Sequence, residues 1–321
     1  MLKKPNPYFL LMVVVTSQLM SLQVEKSVAS DFVVKHLFTF PQEPVNELPL
    51  VEPQALAIDA EGHLFVVDTG NNRIIKFQAN GDYIYAVGGF GWENEEFDRP
   101  LDLTVKTGLD IFIADYHNER ICRYDINLNY ISSFQADETT ANALQFGFPS
   151  SVDISRHGEL FISDNENDRI LKLNLNGEPN ITFGDFNWGE GQLELPFKIE
   201  ISQKDLVYVS DRGRDEIVIF DYYGNYISRF GKDLLAHPGG LTWSDDGLLF
   251  VADSGHHRIV VFDETPQVVY QWGERGKKIG AFINPVDVAI FNKNIYVLDA
   301  GNNRIQVFEL LTLQKRQNDN N

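Results

Sequence analysis

Short apolar runs recur along the chain, and each ends in an aspartate. They read FVVD at 65–68, FIAD at 112–115, FISD at 161–164, YVSD at 208–211, FVAD at 250–253 and YVLD at 296–299. These runs lack polar alternation, so they predict strands buried on both faces. Each is followed by a polar loop and a second mostly apolar run, such as Arg258–Phe262. Asn80-Gly81, Asn176-Gly177 and Gly224-Asn225 then mark hairpins, because these residues tolerate the positive φ of a tight turn. The fifth unit shows the whole pattern. Gly240–Trp243, Leu248–Ala252, Arg258–Phe262 and Val268–Trp272 predict four strands, separated by Asp245-Asp246-Gly247, Ser254–His257 and Thr265-Pro266. No stretch after residue 30 carries an apolar period of 3.6 residues.

The aspartates Asp68, Asp115, Asp164, Asp211, Asp253 and Asp299 are 42 to 49 residues apart, a period typical of solenoids and propellers. A proline precedes each by 14 or 15 residues: Pro53, Pro100, Pro149, Pro196, Pro238 and Pro285. Arg73, Arg120, Arg169, Arg258 and Arg304 stand five residues after the aspartate, and the fourth unit has Glu216 there. A flat sheet cannot bury both faces of every unit, whereas sheets stacked radially around an axis can. The sixth unit stops after its third strand, and a spare strand, residues 32–40, stands ahead of the first. These two pieces are expected to complete one sheet and to remove an open edge.

The strings DTGNNRI, DSGHHRI and DAGNNRI, each after an apolar strand, resemble NHL repeats over roughly residues 50–310. The chain lacks the recurrent Trp-Asp ending of WD repeats and the fixed glycine pair of kelch repeats. The resemblance implies an all-β fold, a six-bladed β-propeller of four-stranded antiparallel blades. Three segments are expected: a signal peptide at 1–29, the propeller at 30–310 and a polar tail at 311–321.

Composition narrows the function. The 321 residues carry a formal net charge of −19, which disfavours nucleic acid, whose phosphates need a basic surface. The single cysteine, Cys122, rules out a disulfide framework and a RING-type zinc cluster. Lys3 and Lys4, the apolar run 8–15 and the small residues at 27–30 read as a secretory signal. A secreted or periplasmic monomer is therefore expected. No glycine-rich phosphate loop or nucleophile elbow is present.

The repeated aspartates and arginines read as structural, because a catalytic group is needed once and not in every unit. Each Asp should accept backbone N–H bonds, and each Arg should reach a carboxylate on a neighbouring sheet. Positions two and four after each proline should face the central channel. Asp102, Asp153, Lys198, Glu200 and Asp287 stand out there among small residues. No cofactor is required, but these carboxylates could hold a hard cation such as Ca²⁺. Phe90, Trp92, Phe97, Phe186 and Trp188, with basic Arg275, Lys277 and Lys278, mark a loop face suited to a protein, peptide or glycan partner. His256-His257 fill the slots of Asn-Asn in other units and read as loop variants. The favoured function is a binding scaffold. The alternative is a metal-dependent lyase or hydrolase at the channel mouth, of the peptidyl-hydroxyglycine lyase kind. Related repeats in that enzyme hold zinc with histidines placed immediately after the proline. Here those positions are Gln54, Leu101, Ser150, Phe197, Gly239 and Val286, so the zinc set is not matched.

Overall fold

A computed structural model describes residues 32–136, 140–141, 144–174 and 177–312. It contains six four-stranded antiparallel sheets. The first strand, β1 (Phe32–Phe40), is followed by blade one: β2 (Ala55–Ile58), β3 (Leu64–Asp68), β4 (Arg73–Phe77) and β5 (Tyr83–Gly88). Blade two is β6 (Pro100–Thr104), β7 (Asp110–Asp115), β8 (Arg120–Asp125) and β9 (Tyr130–Gln135). Blade three is β10 (Pro149–Ile154), β11 (Leu160–Asp164), β12 (Arg169–Leu173) and β13 (Pro179–Phe183). Blade four is β14 (Pro196–Ile201), β15 (Val207–Asp211), β16 (Glu216–Phe220) and β17 (Tyr226–Phe230). Blade five is β18 (Pro238–Trp243), β19 (Leu249–Asp253), β20 (Arg258–Phe262) and β21 (Val268–Trp272). Blade six joins β22 (Pro285–Phe291), β23 (Asn294–Asp299) and β24 (Arg304–Thr312) to β1.

The ring closes where the spare strand was expected to close it. β1 pairs with β24 from Phe32 opposite Thr312 to Phe40 opposite Ile305, with one irregularity between His36 and Phe38. β24 runs past the expected end at Phe308, because β1 offers ladder partners along its full length. Residues 313–321, most of the expected polar tail, lie outside the described residues, as does the expected signal peptide at 1–29.

The core is six radial seams. Each apolar cluster lies between adjacent blades. One joins Val66, Ile75 and Phe77 of blade one to Tyr296, Leu298 and Val307 of blade six, and the same arrangement recurs around the ring. This is why the second and third strands are apolar on both faces: they have a neighbouring blade on each side. Right-handed twist swings each outer strand toward the next blade. Phe40 at the end of β1 thus packs edge-on to Phe77 of blade one, with ring centroids 5.5 Å apart.

Polar sutures cross the same seams. The residue before each repeat proline has φ between 46° and 60°: Glu52, Arg99, Phe148, Leu195, His237 and Asn284. So does the residue before each β4-type strand, for example Asn72, Asp168, Asp215 and His257. These two left-handed positions meet across blades. Asn72 Oδ1 accepts Arg99 N–H at 2.7 Å, Asp168 Oδ1 accepts Leu195 N–H at 3.0 Å, and Asp215 Oδ1 accepts His237 N–H at 2.6 Å. His257 Nδ1 accepts Asn284 N–H at 3.1 Å in the same place. Asn and Asp tolerate this conformation best, which explains their recurrence in the motif.

Replacing Phe40 with Ala would open the latch seam without touching any repeat residue. We expect a loss of about 3–5 kcal/mol in urea unfolding, as for other buried phenylalanines.

Candidate functional site

The repeated aspartate is the centre of each blade's loop face. Asp68 Oδ1 accepts Val51 N–H at 2.7 Å, from the loop that enters its blade. Its Oδ2 accepts Asn71 Nδ2 at 2.8 Å and Arg73 Nε at 2.7 Å. Asp115, Asp164, Asp253 and Asp299 repeat both contacts, to an incoming backbone N–H and to their own arginine. Each arginine pairs with the aspartate of its own blade, where the sequence expectation placed a carboxylate on a neighbouring sheet. Most of their remaining N–H groups clamp carbonyls of the incoming loop, and Arg258 also donates to Gln271 on the outer strand. Arg120 donates to Trp92, Glu93 and Glu96 oxygens at 2.8–3.0 Å, and Arg304 to Lys277, Lys278 and Ala281 at 2.9–3.1 Å. A planar five-donor cation can hold one carboxylate and several carbonyls at once, which a lysine cannot.

Blade four lacks this cation. Asp211 still accepts Glu194 N–H at 2.9 Å, but its nearest guanidinium nitrogen, on Arg214, is 3.9 Å away. Burial pushes Asp211 up to about 7. Glu216, in the arginine position, pairs instead with Arg229 on the outer strand.

Positions two and four after the prolines do line the axis. The channel encloses a cavity of about 130 Å³ bordered by Asp102, Asp153, Lys198, Glu200 and Asp287 among smaller residues. Lys198 Nζ bridges Asp102 and Asp287, the latter at 2.9 Å. A second ammonium was missed: Lys106, six residues after Pro100. Its Nζ donates to Asp153 Oδ2 at 2.6 Å, Glu200 Oε2 at 2.8 Å and Ile201 O at 3.2 Å. Continuing the two-residue period one step beyond β6 would have found it. Burial works against the ammonium of Lys198, yet Asp102 and Asp287 raise it above its ordinary value. Burial pushes Glu200 up to about 7, against the pull of Lys106.

The same carboxylates also join the innermost strands. Those strands are sheet edges, and their channel-side N–H groups need acceptors. Asp287 accepts Leu56 N–H at 2.9 Å, Asp102 accepts Val152 N–H at 3.2 Å and Ser151 Oγ at 2.5 Å, and Asp153 accepts Ile201 N–H at 2.7 Å. Each bond crosses to another blade. Their oxygens are therefore engaged by lysine and backbone donors, and this set does not fit a divalent cation. Among the described residues no group of three His, Cys, Asp or Glu side chains is placed to hold a metal.

Above the channel, at the positions directly after the prolines, Leu101, Ser150, Phe197, Gly239 and Val286 are buried. The Arg212 guanidinium lies 3.1 Å over the Phe197 ring. No histidine stands in this ring of positions. His256 Nδ1 bonds Asp253 at 3.0 Å, so both histidines of the pair serve the loop network. Burial pushes the Cys122 thiol up to about 12, leaving it unreactive.

The candidates on the loop face divide. Phe90, Trp92 and Phe186 are 71%, 74% and 81% exposed, and Trp188 is partly exposed with Nε1 donating to Gly224 O at 3.1 Å. Arg275, Lys277 and Lys278 are exposed. Phe97 is fully buried against Tyr124, so its place among recognition residues is corrected: it plugs the joint between blades one and two.

The fold and its repeated Asp–Arg loops define a six-bladed β-propeller with an ion-paired axis. A family model described as a 6-bladed beta-propeller matches residues 43–178, and the NHL repeat model matches 235–262 and 282–308. The NHL matches fall on the inner three strands of blades five and six. It is 39% identical over 93 residues to NHL repeat-containing protein 2 of Gallus gallus, across 26% of this chain and 13% of that one. It is 28% identical over 124 residues to the probable peptidyl-alpha-hydroxyglycine alpha-amidating lyase pgal-1 of Caenorhabditis elegans, across 37% of this chain and 35% of that one. The chain thus spans about a third or less of these relatives' lengths. An auxiliary nutrient binding protein from Bacteroides ovatus superposes with a TM-score of 0.65 at 12% identity, over 88% of this chain and 77% of that one. At that identity the likeness is one of fold. No helix among the described residues is long and apolar enough to cross a membrane.

Two tests probe this network. Lys198→Met strands two buried carboxylates, and we expect a loss of about 3–5 kcal/mol by chemical unfolding. In blade four, Glu216→Arg with Arg229→Gln copies the Arg258–Gln271 pair of blade five. Asp211 has a raised pKa in the folded state, so its contribution is full below the ordinary carboxylate range and is lost as pH climbs through about 7. The double variant should gain about 1–3 kcal/mol at pH 8 and little at pH 4, read from thermal unfolding across that window.

Proposed function

We propose that the protein is an exported binding scaffold that holds a protein, peptide or glycan partner on its loop face. The observation that carries this reading is the exposure of Phe90 and Trp92 on a loop whose backbone is pinned by the Asp115–Arg120 node, and of Phe186 on the loop that Asp211 holds through Glu194 N–H. Large aromatic rings held in water by a rigid frame lose little further freedom on binding. They are the kind of anchor on which interfaces concentrate their energy. Export rests on the pattern of residues 1–29. Intact mass of the protein from its native host should start at residue 30 or 31.

The relative named a lyase supports a competing reading, a metal-dependent reaction at the channel mouth. Calcium or zinc there would have to displace Lys198 or Lys106 from Asp102, Asp153, Glu200 and Asp287. Stoichiometric metal in purified protein, lost in Asp153→Asn, would reverse our preference. For the scaffold reading, the partner should be captured by crosslinking in the native host. Capture should fall by about tenfold or more when Phe90, Trp92 and Phe186 are changed together to alanine, with the melting temperature unchanged. Equal capture by the variant would defeat the reading.

A further inference from the structure

The outer strand of blade one differs from the other outer strands. Tyr83, Ile84 and Tyr85 of β5 are 41%, 38% and 52% exposed in succession. β9 and β17 each expose one large apolar side chain, Ile131 and Ile227, and β13 and β21 expose none to that degree. β5 carries no charged residue, pairs only with β4, and so presents an unpaired row of backbone donors and acceptors. Natural edges of this length usually carry a charge or a cover that prevents pairing.

The strand leads directly into the most aromatic loop. Gly88, Gly89 and Gly91, with φ of 127°, 154° and 158°, turn the chain there, and a Cβ at Gly88 would lie 2.5 Å from Asn72 O. Asn118 Nδ2 holds Gly91 O at 2.8 Å, beside the Arg120 clamp. Phe90 and Trp92 are therefore fixed at the end of the strand. Around them the charge is negative. Glu93 and Glu95 are exposed and neither carboxylate forms an ion pair among the described residues, while Asp82 is exposed at the strand's start. Of the basic groups close by, Lys76 Nζ donates to Ile126 O at 2.9 Å, Arg120 is consumed by Asp115 and the loop, and Arg99 lies 3.7 Å from Glu52.

We propose that the edge of β5 accepts an extended, lysine- or arginine-bearing segment of a partner protein as a fifth strand of blade one, with Phe90, Trp92, Glu93 and Glu95 receiving its side chains. This rests on the loop-face reading and specifies its partner. Main-chain hydrogen bonds would give affinity, and the aromatic and acidic end would set direction and sequence preference. The opposite charges would speed encounter and make binding salt-sensitive.

The probe is a short, end-capped peptide of alternating lysine and valine. Its control is the same peptide N-methylated at every second residue, which keeps the charge and blocks strand pairing. Fluorescence anisotropy should show the parent peptide binding at low salt and weakening as salt rises. The methylated control should bind about tenfold more weakly. Glu93→Gln with Glu95→Gln should weaken the parent peptide by about fivefold, and Tyr85→Lys, at an exposed position, should repel it with no change in melting temperature. Hydrogen exchange should slow at residues 83–88 and not along β9, β13, β17 or β21. Equal binding of parent and methylated peptides would overturn strand addition and leave the loop-face reading standing. Absence of binding, or protection at another blade's edge, would also overturn it. The alanine test at Phe90, Trp92 and Phe186 then decides the loop-face reading separately.

Discussion

A carboxylate removed from water must find donors, and six such carboxylates organise this molecule. Each repeated aspartate is fully buried, and each sits where an inner hairpin meets the loop arriving from the previous blade. Leaving it unpaired would cost several kcal/mol, so the incoming loop and, in five blades, the arginine are held to it. The loop's path over the blade, the exposure of Phe90 and Trp92, and the left-handed residues before the prolines all follow from that requirement. In blade four, where the cation is absent, the loop bond remains and burial holds the carboxylate at a raised pKa.

The axis follows the same logic with different partners. Six inner strands turn their free edges toward one another, and a channel lined only by small residues would leave those N–H groups to water. Asp102, Asp153 and Asp287 accept them across blades, and Lys198 and Lys106 offset the accumulated negative charge. A set of residues that looks in the sequence like a cation site is thus a stitch between blades. The solvent-facing chemistry is left to the periphery, where the pinned loops display aromatic rings and the outer strand of blade one stands free.

Much of this was legible in the chain. The apolar runs gave the buried strands, the proline and aspartate period gave six blades, and the spare strand at 32–40 gave the closure. The period-two count placed Asp102, Asp153, Lys198, Glu200 and Asp287 on the axis, because inner strands are regular enough for alternation to hold. It missed Lys106, which lies one step past the strand end, where alternation is not expected to continue. It misjudged Phe97, because a loop aromatic pointing into a seam and one pointing into water have the same local sequence.

The sequence by itself determined the number of blades, their strand order and the residues shared by every loop, since these are set by local periodicity repeated six times. Tertiary structure alone decided which donors reach which carboxylates. Lys198 and Asp102 are 96 residues and two blades apart in the chain, and they meet across the axis because the ring closes. The same closure decided which aromatic rings face water and which fill a joint. Those choices depend on the neighbouring blade's shape, and no single repeat encodes it.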